Sequence, residues 1–214
     1  MLKKKFFLVL TVVLCTVALV AGGTFALFTD STSQADADFV AGTLSITSDR
    51  DEGDPIPGPM FYVTQAQGEV EGGAPAINAT GVWAPGDSHT RTLVVQNFDA
   101  AHGGSSTMHA WLDSVQANLR SGDISLAEKL NVVVTTNYPG SSLDVVVAQG
   151  TLMDFLNGAI PLRYPDGTRV PCYLNSQWYL HFTVTFDQSA GNSYQGLNLV
   201  TDFVVNAVQM KNNP

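Results

Sequence analysis

The chain has 214 residues, a formal net charge of −9 and only 14% charged residues, against about 25% in an average soluble domain. So acidic a composition offers no Lys/Arg surface to neutralise phosphates, which excludes nucleic acid as a partner. With 45% hydrophobic residues it is not a disordered acidic chain either, because such chains lack the apolar surface that offsets the entropy of ordering.

The first 26 residues stand apart from the rest. Lys3, Lys4 and Lys5 form a basic start, Phe6 to Ala21 is apolar, and Gly22-Gly23-Thr24-Phe25-Ala26 closes the stretch with small side chains. This is the layout of a secretory signal peptide. Thr24 and Ala26 supply the small residues that a signal peptidase needs before a cut between Ala26 and Leu27. A cut one residue later would put Leu27 in that pocket, a poorer fit. The alternative is an uncleaved membrane anchor, although the apolar run falls short of the ~20 residues that span a bilayer. Cys15 follows Leu14, where a lipoprotein site needs a small residue, so lipid attachment is not expected. Removing residues 1–26 leaves 188 residues with a charge of −12, since the leader holds three lysines and no acid. Cys172 is then the single cysteine. It excludes an intramolecular disulfide and leaves a buried thiol or an intermolecular bridge.

The mature start, Leu27 to Asp38, is polar, short-sided and without helical period. Phe39 to Ile46 reads as a first strand. Asp49 to Pro59, rich in acid, proline and glycine, reads as a surface loop. After the turn signal Pro85-Gly86-Asp87, Ser88 to Asn97 alternates as a strand. Thr107 to Val115 sets Met108, Ala110 and Leu112 against His109, Trp111 and Asp113. Leu130 to Thr136 and Leu143 to Gln149 are β-branched runs flanking Asn137-Tyr138-Pro139-Gly140. Trp178, Leu180, Phe182, Val184 and Phe186 alternate with Gln177, Tyr179, His181, Thr183 and Thr185, and Leu197 to Ala207 is the expected partner of that strand. Asp123 to Leu130 and Thr151 to Leu156 suit short helices, the first opening on a capping Asp123. Many strands, regular turns and sparse helix predict one all-β domain over residues 39–214: an antiparallel two-sheet sandwich with one or two short helices in its connections.

Catalytic motifs are scarce. His89, His102, His109 and His181 include no i, i+4 pair beside a glutamate, as a helical zinc protease needs. No Gly-x-Ser-x-Gly elbow and no phosphate-cradling glycine loop occurs, and nothing local activates Cys172. Gly103-Gly104-Ser105-Ser106 reads as a flexible turn. Asp49, Asp51 and Asp54 place oxygen ligands at near-alternate positions, as calcium loops do. They depart from the helix-loop-helix pattern, because glycine arrives early at Gly53 and Met60 stands where its glutamate belongs. A solvated loop is the default there, and calcium is the one cofactor considered. Asn78-Ala79-Thr80 matches a glycosylation sequon, a short pattern frequent by chance. No catalytic residue, metal ligand or enzyme activity is expected.

Gly22 to Asp30, followed by Phe39-Val40-Ala41-Gly42-Thr43-Leu44-Ser45-Ile46, resembles the start of the TasA/camelysin (CalY) family. Pro85-Gly86-Asp87 leading to Asn97, the turn Asn192-Ser193-Tyr194-Gln195-Gly196 and the closing Ala207-Val208-Gln209 are similar too; Asp99 to Pro171 agrees only in pattern. The resemblance implies export through a SipW-type signal peptidase and a secreted, fibre-forming matrix protein of biofilms, spores or cell surfaces. It implies a jelly-roll-like sandwich and a homopolymer, with an accessory matrix protein as a further partner and membrane contact only through the uncleaved leader. By composition Leu27 to Asp38 is a polar tail. The resemblance makes it a donor strand, with Leu27, Phe28, Thr29, Asp30 and Ser31 entering the next subunit. Two alternatives stand beside the fibre. One is a camelysin-like surface metallo-endopeptidase. The other is a carbohydrate- or surface-binding sandwich with Trp83, Trp111 and Trp178 as its platform, set against the ordinary burial of strand tryptophans.

Overall fold

A computed structural model describes residues 44–50, 61 and 79–210, with the backbone alone for 47–50. The signal peptide, the donor segment, Asp51, Asp54 and Asn78 lie outside these residues. Nine strands are described: β1 (Thr47–Arg50), β2 (Ser88–Asn97), β3 (Ala110–Gly122), β4 (Leu130–Asn137), β5 (Asp144–Thr151), β6 (Ile160–Pro161), β7 (Val170–Cys172), β8 (Ser176–Phe186) and β9 (Leu199–Gln209). One sheet runs β1-β2-β8-β4-β5. In the other, β3 is central, with β9 on one edge and the short β6 and β7 pairing it as well. Every ladder among the described strands is antiparallel, and the protein is an all-β two-sheet sandwich, as the alternation predicts.

Period-2 patterning places the core. On β8, Leu180, Phe182, Val184 and Phe186 are buried while Thr183 and Thr185 between them are only half-buried. Val95, Leu112, Val115, Val132, Val134 and Val170 meet them from both sheets. The outer face of β2 and β8 carries hydroxyls that pair across the ladder: Ser88 with Thr185 and Thr90 with Thr183, each at 2.8 Å, and Thr92 with His181 Nδ1 at 2.9 Å. Such pairs contribute roughly 0.2–1 kcal/mol each without charge.

Both expected helices form. Ile124–Lys129 is a 3-10 helix capped by Asp123. α1 (Leu152–Asn157) opens on a capping box between Thr151 and Asp154. Leu152 and Phe155 turn inward from it, so the helix plugs one end of the core.

Three expectations need correction. Of the expected first strand, Phe39 to Ile46, only Leu44–Ile46 lies among the described residues; it joins no ladder, and among the described residues pairing starts at Thr47, opposite Gln96. β2 ends at Asn97, so in this register Ser45 and Leu44 fall opposite Phe98 and Asp99, beyond the strand. Leu44 and Ile46 still pack on the core through their side chains. Secondly, β9 does not pair with β8. It pairs with β3 in the opposite sheet, and meets β8 face to face, the Phe203 and Phe182 rings lying 4.8 Å apart. Thirdly, His109 precedes β3 rather than lying in it; its Nδ1 accepts the Leu174 N–H at 2.8 Å.

Candidate assembly surface

The two sides of the sandwich are built differently. At the β5 side, two strands each carry an irregularity: β3 skips a register position at Asp113, and β5 skips one at Val147. The bulged carbonyls are aimed at the chain following β6. The Leu162 N–H donates to Asp113 O at 2.9 Å and the Arg163 N–H to Val147 O at 3.0 Å. Two successive residues thus bond one sheet and then the other. The Arg163 guanidinium adds bonds to Asp113 O and Leu162 O and an ion pair with Asp113 Oδ1 at 3.2 Å. Bulges next to a strand end commonly re-aim the backbone in this way, and here they seal the sandwich.

The opposite side ends differently in each sheet. β1 has four residues. β9 has eleven, and among the described residues its backbone ladder is with β3 alone. Its inner residues Leu199, Phe203, Val205 and Ala207 pack on the core only partly buried. Its outer residues include Val200 and Val208, 41% and 36% exposed. β9 contains no lysine, proline or glycine, and its single acid, Asp202, is paired with Arg120 of β3.

The turn motifs are well built. In Pro85-Gly86-Asp87, the Asp87 carboxylate accepts the Ala84 N–H at 2.6 Å, and Gly86 takes a φ of +97° that favours glycine. The Gly86 N–H and the Phe186 N–H then exchange bonds with Phe186 O and Asp87 O, fastening the turn to the end of β8. At the other end of β2, buried Asn97 donates through Nδ2 to Met108 O and Cys172 O at 3.0 and 2.8 Å, tying the first sheet to the second. Asp99 caps the following 3-10 turn and bonds His102 and Asn175; these hydrogen bonds, His102 first, hold its carboxyl below the usual value. Gly103 to Ser106 is a fitted turn rather than a loose one, since Gly104 lies against the Phe98 backbone and Ser106 is buried. Asn192–Tyr194 forms a 3-10 turn ahead of β9, where the sequence places a turn.

The remaining candidate residues are dispersed. Trp83, before β2, donates to Thr80 and packs against the tilted ring of His89, the centroids 4.6 Å apart. Trp178 packs on the core from β8. Trp111 lies on β3 in the other sheet, on the opposite strand face from Leu112 and across from Val208. The three indoles therefore form no single platform. His102 is held by Asp99, His109 by Leu174, and His181 lies 3.9 Å from Asp144. Among the described residues no three His, Cys, Asp or Glu side chains converge as metal ligands, so these residues do not fit the zinc that a metallo-endopeptidase would use. Of the calcium candidates, Asp49 falls in β1, its backbone opposite Val94. Cys172 is fully buried and free, and burial pushes its thiol up to about 12. No helix among the described residues is long and apolar enough to cross a membrane. The strand edges were the feature that pattern reading missed: alternation reveals which residues face inward, not which backbone edge lacks a partner.

The described residues define a class: a two-sheet β-sandwich, sealed on one side and ending on the other in a long apolar strand. Residues 1–53 match the model of the family described as Camelysin metallo-endopeptidase. The N-terminal part of the chain, through β1, is thus similar to that family, in the stretch that carries the TasA/camelysin resemblance. No curated protein matches the chain.

Proposed function

We propose that this chain is a secreted structural subunit of an extracellular fibre, in a biofilm matrix or on a spore or cell surface. After a SipW-type peptidase removes residues 1–26, the mature N-terminus, Leu27 to Asp38, inserts as a strand into the next copy. Such head-to-tail contacts do not close on themselves and so propagate a filament. The observation that carries the reading is the side of the sandwich where, among the described residues, an eleven-residue strand ends the sheet; the N-terminal family similarity adds to it. Negative-stain microscopy of the secreted protein with and without residues 27–38 tests it. Filaments from the mature protein and none from the shortened one are expected, and equal filaments from both would overturn the donor strand.

The family description favours a second reading, a surface metallo-endopeptidase. Casein cleavage by the pure protein, lost with chelator and restored by zinc, would establish it in place of a purely structural role.

A further inference from the structure

We infer that β9 is the acceptor edge, pairing in the assembly with residues 27–38 of a second copy; this rests on the fibre reading above. Among the described residues the two sheets end in four edges, and the one made by β6 and β7 is broken into pieces of two and three residues. At β5 the Arg163 N–H already occupies Val147 O, and the chain after β6 bridges to the other sheet. At β1 only four residues offer a ladder. β9 offers eleven, about 36 Å of continuous strand at ~3.3 Å per residue. Residues 27–38, twelve in number, reach about 40 Å when extended by the same rise.

Composition points the same way. Exposed edge strands are normally blunted by charge, proline or shortness. β9 has none of these, its one acid being paired within the sheet. Leu199, Phe203, Val205 and Ala207 face the core, while Val200, Val204 and Val208 alternate with them on the outer face. The outer face also holds Asp202 and Asn206, but its three valines, with Val200 and Val208 exposed, form an apolar strip that suits contact with another copy. A strand laid beside β9 would complete the cover of its half-buried inner residues and present its own apolar start, Leu27 and Phe28, to the same interface. Backbone bonds would supply the continuity.

Hydrogen exchange on the mature wild-type protein, soluble and assembled, reads the edge directly. Amides of residues 199–209 are expected to exchange roughly tenfold or more slowly in filaments, with those of 144–151 unchanged. A paired variant set adds a second reading. Val200→Lys/Val208→Lys should keep the circular dichroism of the monomer and lose filaments, while Leu143→Lys/Val146→Lys, at and just before exposed β5, should assemble as wild type. Filaments with unprotected β9 amides, or loss of assembly in the β5 variant alone, would overturn β9 as acceptor and leave the fibre standing. Protected β9 amides in a monomer that never assembles would mean that the segment folds back on its own domain, overturning the fibre as well.

Discussion

Cys172 sits in β7, and its sulfur meets no solvent. Desolvation raises the thiol from 9.0 to about 12, against a smaller opposing bond from Ser176. Tyr164, also buried, is raised from 10.0 to about 12, chiefly by desolvation. An acid whose folded value exceeds its unfolded one stabilises the fold fully below the unfolded value, and that stabilisation is lost as pH rises towards the folded value. Stability should therefore start to fall near pH 9, where the unfolded thiol ionises. In Cys172→Ala the fall should start about one pH unit later, set by Tyr164. Urea midpoints from pH 7 to 11 measure this, and identical profiles for the two proteins would contradict it. The same burial leaves the thiol unreactive towards a disulfide reagent until the protein is unfolded, so reducing agent should leave any filaments intact.

At the scale of elements, β8 was legible because its buried Leu180, Phe182, Val184 and Phe186 alternate with Tyr179, His181, Thr183 and Thr185, while β4 and β5 showed as β-branched runs. Pairing was less so. β8 and the strand after it look like a hairpin, yet the chain crosses between sheets, and an alternating strand looks the same in either sheet. β6 and β7 left almost no signal: each is two or three residues long and contains a proline, Pro161 or Pro171. Proline is tolerated there because these strands are short pieces along β3, where one missing N–H interrupts little. The turn after Asp99 was read as loose because glycine signals freedom; the structure uses Gly104 for close approach. A Cβ there would lie 2.0 Å from the Phe98 carbonyl oxygen, whereas one on Gly158 would meet nothing within 4 Å. Gly104→Ala should cost roughly 1–3 kcal/mol, as overpacking against backbone does, and Gly158→Ala should be nearly neutral. Chemical denaturation of the two variants decides this, and equal midpoints would mean that the turn yields freely.

For the whole molecule, the charge and the open side make opposing demands on assembly. The chain carries −9, or −12 once the three leader lysines are gone, so approaching copies repel each other. The contact proposed at β9 depends on backbone hydrogen bonds and apolar burial, neither of which salt screens. Raising ionic strength from 0.01 to 0.15 M shortens the screening length from about 30 to about 8 Å, which removes most of the repulsion and leaves the attraction in place. Filament growth followed by light scattering should accordingly speed up by roughly tenfold across that range. Slower growth in salt would mean that opposite charges draw the copies together, for instance Asp30, Asp36 and Asp38 against a basic patch. The contact would then have to be sought near arginines such as Arg163 and Arg169 on the sealed side, rather than along β9.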